Sequence, residues 1–192
     1  MVGESGCGKS TLGRMLVRLE NPTSGDVLLD GKSTAQMLRE NNKAFRKRVQ
    51  IVFQNPFDTF TPRDTIEKIL MRPLKNYNIG ASDEERLKMC RDALESGGLH
   101  PAEEILKRYP HELSGGQLQR ISIIRSMFFK PDLIIADEPV SMLDVSVRAD
   151  IINMLLDLAK KNNTAVIFIS HDIALTRYIS DHVAVMYLGR VV

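Results

Sequence analysis

The run Gly3-Glu4-Ser5-Gly6-Cys7-Gly8-Lys9-Ser10 constrains this chain more than any other feature, and it fits G-x-x-x-x-G-K-[ST] without a mismatch. Glycines in this pattern let the backbone wrap closely around a polyphosphate with its N–H groups turned inward, and the helix that follows adds its positive N-terminal end. Lys9 is expected to reach the β- and γ-phosphates, and the Ser10 hydroxyl to ligate Mg²⁺. Such a loop leaves the end of a buried strand, so the expected class is α/β with a mainly parallel sheet. Here only Met1 and Val2 precede it, and the sequence closes on Gly189-Arg190-Val191-Val192, which reads as a hairpin turn entering a strand. The expectation is a domain incomplete at both ends.

The rest of the sequence supports that class. Val49–Phe53, Leu133–Ala136 and Ala165–Ile169 read as strands, the last two nearly continuous in apolar residues as befits strands covered on both faces. Asp181–Leu188 reads as a further strand, and Asp26–Leu29 as a short one before the turn Asp30-Gly31. Helices are expected over Lys9–Leu19, Val145–Lys161 and Asp172–Ile179. Residues 64–129 contain no convincing strand; their helices include Ser82–Glu95, with Ser82 as N-cap and Glu85 completing a capping box. This stretch reads as an all-helical lobe inserted in a core made of residues 1–63 and 130–192. Composition adds exclusions. A 43% hydrophobic, 26% charged chain of net charge +2 is neither disordered nor basic enough to coat itself in nucleic acid. No run approaches the ~18 apolar residues of a bilayer span. Cys7 and Cys90 cannot make a disulfide framework or a four-ligand zinc site, which points to a reducing, cytoplasmic setting.

Three further segments carry chemistry. Leu133-Ile134-Ile135-Ala136-Asp137-Glu138 is an apolar strand ending in two carboxylates. Beside a phosphate loop, Asp137 can hold Mg²⁺ through water and Glu138 can act as general base on an attacking water. Leu113-Ser114-Gly115-Gly116-Gln117 opens a helix whose apolar positions Leu118, Ile121, Ile124 and Phe128 recur at helical spacing. Its exposed N–H groups and serine hydroxyl make a second phosphate-binding surface. Finally, Gln54 and His171 both lie just past predicted strands, so four segments converge on one sheet edge. The basic cluster Lys43, Arg46, Lys47 and Arg48 reads as a solvated helix face, and Cys90 as core.

With Leu-Ser-Gly-Gly-Gln in place, the sequence resembles the ATP-binding cassette (ABC) ATPases over essentially its whole length. The resemblance implies a P-loop NTPase core with an inserted helical ABC subdomain, working with ATP and Mg²⁺. It assigns Gly3, Glu4, Ser5, Gly6, Cys7, Gly8, Lys9, Ser10 and Thr11 to ATP, and Ser10, Gln54 and Asp137 to the metal. Glu138, His171 and Gln54 become catalytic, with Gln54 also the hinge to the helical lobe. Leu113, Ser114, Gly115, Gly116 and Gln117 face the ATP of a partner subunit. Ser141-Met142-Leu143-Asp144 matches the D-loop, with Met142 where alanine is more usual and Asp144 retained. Within the family, Gly3–Arg14, Leu19–Gly31, Val52–Phe57 and Glu138–Val147 are similar to the oligopeptide, dipeptide and nickel importers, and resemble the second of their two ATPase subunits. The implied partners are a second ATPase subunit in a head-to-tail homo- or heterodimer, membrane permeases, and indirectly a substrate-binding protein, with no nucleic acid. The implied place is the inner face of the cell membrane. Two alternatives remain open at this level: an ABC ATPase outside transport, and a cassette of little activity serving as an interaction module.

Overall fold

In the computed structural model, which describes residues 1–192, the first residues already form a strand. β1 (Val2–Gly3) pairs in parallel with β7 (Val185–Tyr187). On its other side the terminal ammonium donates to Phe168 O at 2.6 Å, Ser170 N–H donates to Met1 O at 3.1 Å, and Val2 bridges to Ser170 in parallel. β1 therefore lies between β7 and the end of β6 (Ala165–Ile169). β6 pairs in parallel with β5 (Leu133–Asp137), and β5 with β4 (Val49–Val52). β8 (Arg190–Val191) closes the far edge antiparallel to β7, through a turn in which Leu188 and Gly189 both have positive φ. The spatial order is β4-β5-β6-β1-β7-β8. Separate from it, β2 (Leu28–Leu29) and β3 (Lys32–Ser33) form a small hairpin around Asp30-Gly31.

The chain divides into two compact units: Met1–Gln54 with Phe129–Ser141 and Asn162–Val192, and Asn55–Phe128 with Met142–Lys161. The first holds the sheet. Its core joins Val17 and Phe45 to Val49, Ile135 and Ile169 of the central strands. α1 (Lys9–Leu16) follows the glycine loop and stops before the expected Leu19, because Arg18 turns into the left-handed region at φ 55°. Arg46 caps that end, donating to Val17 O at 2.6 Å and to Arg18 O at 3.3 Å. Arg48 pairs with Asp30 and Asp132. Two members of the basic cluster are thus structural clamps on the end of α3 (Asn42–Arg48), not merely a solvated face. α2 (Thr34–Glu40) precedes it and α9 (Ile173–Ile179) follows β6. Two expected strands are shorter than their sequence patterns. Asp26 leaves the hairpin to pair with Arg18. β7 reaches only Val185–Tyr187 because its ladder to β1 consists of Val2–Val185 and Gly3–Met186.

The second unit is helical: α4 (Ile66–Asn76), α5 (Asp83–Ser96), α6 (Ala102–Lys107), α7 (Gly115–Met127) and nearly all of α8 (Val145–Asn162). Ile66, Leu70 and Leu74 recur at i, i+4 spacing on α4 and join Cys90, Leu94, Leu118 and Ile121 in its core. Ser82 caps α5 as expected, but the Glu85 carboxylate accepts from Ala81 N–H at 2.6 Å, one residue upstream of the capping-box position. Arg125 of α7 lies over the Phe60 ring at 4.8 Å from its centroid and donates to Thr59 O at 3.3 Å, tying the segment that follows Gln54 to α7. No helix of the chain is long and apolar enough to cross a membrane.

Candidate functional site

The glycine loop begins where β1 ends. At Gly3 the two strands are so close that a Cβ would lie 2.1 Å from Met186 O and 2.9 Å from Cys7 Sγ. Gly8 stands directly before α1 at φ 101°, a conformation strained for any L side chain, and no side chain caps the helix N-terminus. Lys9 is buried, 5% exposed, and its ammonium donates to Gly3 O at 2.8 Å and Glu4 O at 2.7 Å. The loop therefore wraps its own lysine, with Cys7 Sγ 3.7 Å from Nζ. Glu4, Ser5, Gly6 and Thr11 are exposed around it.

Asp137 ends β5 with its side chain buried. Burial pushes its carboxyl above the usual carboxylate range, against the opposing pull of the Ser10 hydroxyl, which donates to Oδ1 at 2.9 Å. Glu138 continues the ladder for one more bond, its N–H donating to Ile169 O at 3.0 Å, then turns out of the sheet at φ 46°. Non-glycine residues in that region carry strain, and they concentrate at functional sites. Glu138 Oε2 lies 3.3 Å from His171 Nδ1 and accepts from Gln54 Nε2 at 3.4 Å. Gln54 follows β4 and His171 follows β6, so the first unit brings Gly3–Thr11, Gln54, Asp137, Glu138 and His171 to the C-terminal edge of one parallel sheet. Ser141, in the sequence only the first residue of the motif Ser141–Asp144, belongs with them: Gln54 Nε2 donates to its Oγ at 3.1 Å. The available signal was its place three residues after Glu138, where a β-turn beginning with that residue closes.

Leu113–Gln117 and Asp144 belong to the second unit. Ser114 and Gln117 form a reciprocal capping box, with Gln117 N–H donating to Ser114 Oγ at 3.2 Å and Ser114 N–H to Gln117 Oε1 at 3.0 Å. A Cβ on Gly116 would lie 2.9 Å from Val147 Cγ1 of α8. The second of the two glycines thus has a packing reason that sequence spacing did not supply, whereas a Cβ on Gly115 would meet only Leu143 Cδ2 at 3.4 Å, an ordinary contact. Asp144 is exposed at the start of α8, where Val147 and Arg148 N–H groups donate to its carbonyl at 3.0 and 3.2 Å.

The donor set suits a hard divalent cation. Ser10 Oγ and Asp137 Oδ1 are oxygen donors 2.9 Å apart, and no group of three His, Cys, Asp or Glu forms a closed cage. Mg²⁺ favours such sparse sites, completing its shell with water and phosphate oxygens.

The loop, the strand-end carboxylates and the sheet order define a core of the P-loop NTPase class. The sequence matches the ABC transporter family over residues 1–141, and the chain belongs to that family. Among curated relatives it is 50% identical over 192 residues to the probable peptide ABC transporter ATP-binding protein y4tS of Sinorhizobium fredii, spanning all of this chain and 54% of that protein. It is 47% identical over 191 residues to the oligopeptide transport ATP-binding protein AppF of Bacillus subtilis, spanning 99% of this chain and 57% of that protein. The chain therefore spans little more than half the length of these relatives. In three dimensions it is similar, at a TM-score of 0.85 and 32% identity, to a dimeric ATP-binding cassette solved in a post-hydrolysis state with ADP and Pi. That match covers 99% of this chain and 81% of the other.

Proposed function

We propose that this chain is the ATP-binding and ATP-hydrolysing part of an ABC importer for peptides. The observation that carries the chemistry is the meeting of the Ser10–Asp137 pair with Glu138, His171 and Gln54 beside the glycine loop. In this reading Lys9 exchanges the Gly3 and Glu4 carbonyls for the β- and γ-phosphates, and the loop N–H groups take the remaining phosphate oxygens. Ser10, Asp137 and Gln54 would hold Mg²⁺, which supplies charge neutralisation on the β- and γ-oxygens when bound. Glu138 takes the proton of the water that attacks the γ-phosphorus; the bond to the bridging oxygen breaks, giving ADP and phosphate. His171, against the same carboxylate, holds it in place and faces the γ-phosphate.

Peptides as cargo are supported by the peptide and oligopeptide transport for which the y4tS and AppF relatives are named; nickel, the alternative, is supported only by the motifs shared with that importer branch. The same reading gives the chain a second ATPase subunit, whose nucleotide faces Ser114–Gln117 and Asp144. It also gives permease partners, a substrate-binding protein acting through them, and a position on the cytoplasmic face of the membrane.

The test is Glu138→Gln. Hydrolysis should fall about 10²–10⁴-fold while ATP binding, read with a fluorescent nucleotide, is retained. Turnover above about a tenth of the wild-type rate would assign the base elsewhere.

A further inference from the structure

Ser141 stands at the junction of two groups that the proposed reaction uses. Its N–H donates to Glu138 O at 3.2 Å, and its hydroxyl donates to the same carbonyl at 3.0 Å. A hydroxyl has one proton. With that proton directed to Glu138 O, the oxygen turns a lone pair outward, and Gln54 Nε2 donates into it at 3.1 Å. The second N–H of the same amide points to Glu138 Oε2 at 3.4 Å. A carboxamide has two nearly isosteric ends, and its orientation is set by which neighbours donate and which accept. Here both neighbours of the Nε2 end are acceptors. Turning the amide over would set Gln54 Oε1 against a serine lone pair and a carboxylate oxygen.

We propose that Ser141 is a positioning residue that decides which end of the Gln54 carboxamide faces the reaction centre. Its hydroxyl relays the polarity of the Glu138 carbonyl to Gln54. The NH₂ end is thereby committed to Ser141 and Glu138, and Oε1 is left as the end available to a cation or to water. The Glu138 carboxylate contributes to the same choice, but its contact is the longer one, and the proposed mechanism takes that carboxylate to the attacking water. Ser141 is the neighbour that holds the amide throughout. Ser141→Ala keeps the backbone N–H bond to Glu138 O, so the turn survives while the relay is lost.

This inference rests on the proposed ATPase reading, and its first test does not depend on it. With ¹⁵N-labelled glutamine and no nucleotide, the Gln54 side-chain NH₂ resonances should be displaced from solvent-exposed values. They should move toward those values in Ser141→Ala and return in Ser141→Thr. Unchanged Gln54 resonances in Ser141→Ala would overturn the proposal, whatever the protein does with ATP. The second test is a turnover cycle: Ser141→Ala should lower kcat about three- to tenfold with little change in the KM for ATP, the rate equivalent of one neutral hydrogen bond. In a Gln54→Ala background the same substitution should cost less than about twofold. An equal loss in both backgrounds would mean that Ser141 acts through the Glu138 turn and not through Gln54. Failure of all variants and of the parent protein to bind or hydrolyse ATP would count against the ATPase reading, and the resonance test would still decide this one.

Discussion

Gly3→Ala is the sharpest perturbation of this fold, because the atom it would collide with cannot move alone. The added Cβ would stand 2.1 Å from the backbone oxygen of Met186 and 3.1 Å from its carbonyl carbon. Ordinary C···O contacts begin at about 3.3 Å, so β1 and β7 would have to separate by more than about 1 Å. That breaks the Val2–Val185 and Gly3–Met186 register and the bond from Val2 N–H to Ala184 O at 2.9 Å, and it lifts Val2, 2% exposed, out of its site. Burying a valine stabilises by about 1.5–3 kcal/mol and a backbone hydrogen bond by about 0.5–1.5, so a net loss of about 2–4 kcal/mol is expected. At about 2–4 °C per kcal/mol for a chain of this size, the melting temperature should fall roughly 4–16 °C. Circular dichroism melts without nucleotide measure it. Gly6→Ala is the control, since a Cβ there meets nothing within 4 Å and only the φ of +79° opposes it. That backbone strain costs about 1–2 kcal/mol. A Gly3→Ala protein melting within about 2 °C of wild type, or above Gly6→Ala, would refute the close approach of β1 to β7.

Two expectations concern the cysteines. Both cysteines are buried, but Cys7, 7% exposed, lies in a loop whose neighbours Glu4, Ser5 and Gly6 are exposed, whereas Cys90, at 0%, is enclosed in the helical core. Cys7 should therefore alkylate first under native conditions and Mg-ATP should slow it; Cys90 modified first, or no protection, would contradict the loop geometry. Burial, reinforced by the Glu67 carboxylate, pushes the Cys90 thiol up to about 12, from 9.0. As pH rises past 9 the unfolded chain releases this proton first, so stability is lost between those values at up to about 1.4 kcal/mol per pH unit. Cys90→Ala should flatten that decline in denaturant titrations from pH 9 to 11, and equal slopes would mean that the folded thiol ionises normally.

The parts of the fold that are local in sequence were legible without coordinates. The parallel α/β class, the central strands and the edge occupied by Gln54, Asp137, Glu138 and His171 follow from apolar runs that end in polar residues. Those signals lie within a few residues of one another, and a strand buried on both faces permits few other readings. The Ser82 N-cap was legible for the same reason. Its Glu85 partner was not, because a flexible carboxylate chooses between neighbouring N–H groups by loop geometry. The C-terminal limit of α1 and the use of Arg46 and Arg48 also escaped, since their partners are carbonyls and carboxylates brought near only by folding.

The motifs themselves divide along the same line. By itself the sequence determined that Gly3–Ser10 is a phosphate-type loop, that two carboxylates end a buried strand, and that Ser114 opens a helix. Each is a matter of residue type and spacing along the backbone. Only the tertiary structure decided why Gly3 must be glycine, which is the Met186 carbonyl beside it, and what crowds Gly116, which is a Val147 methyl. Only it placed Ser141 between Glu138 and Gln54, residues far apart along the chain. A close approach or a shared hydrogen bond between distant segments leaves no periodicity behind; it exists once the sheet has fixed where each strand ends.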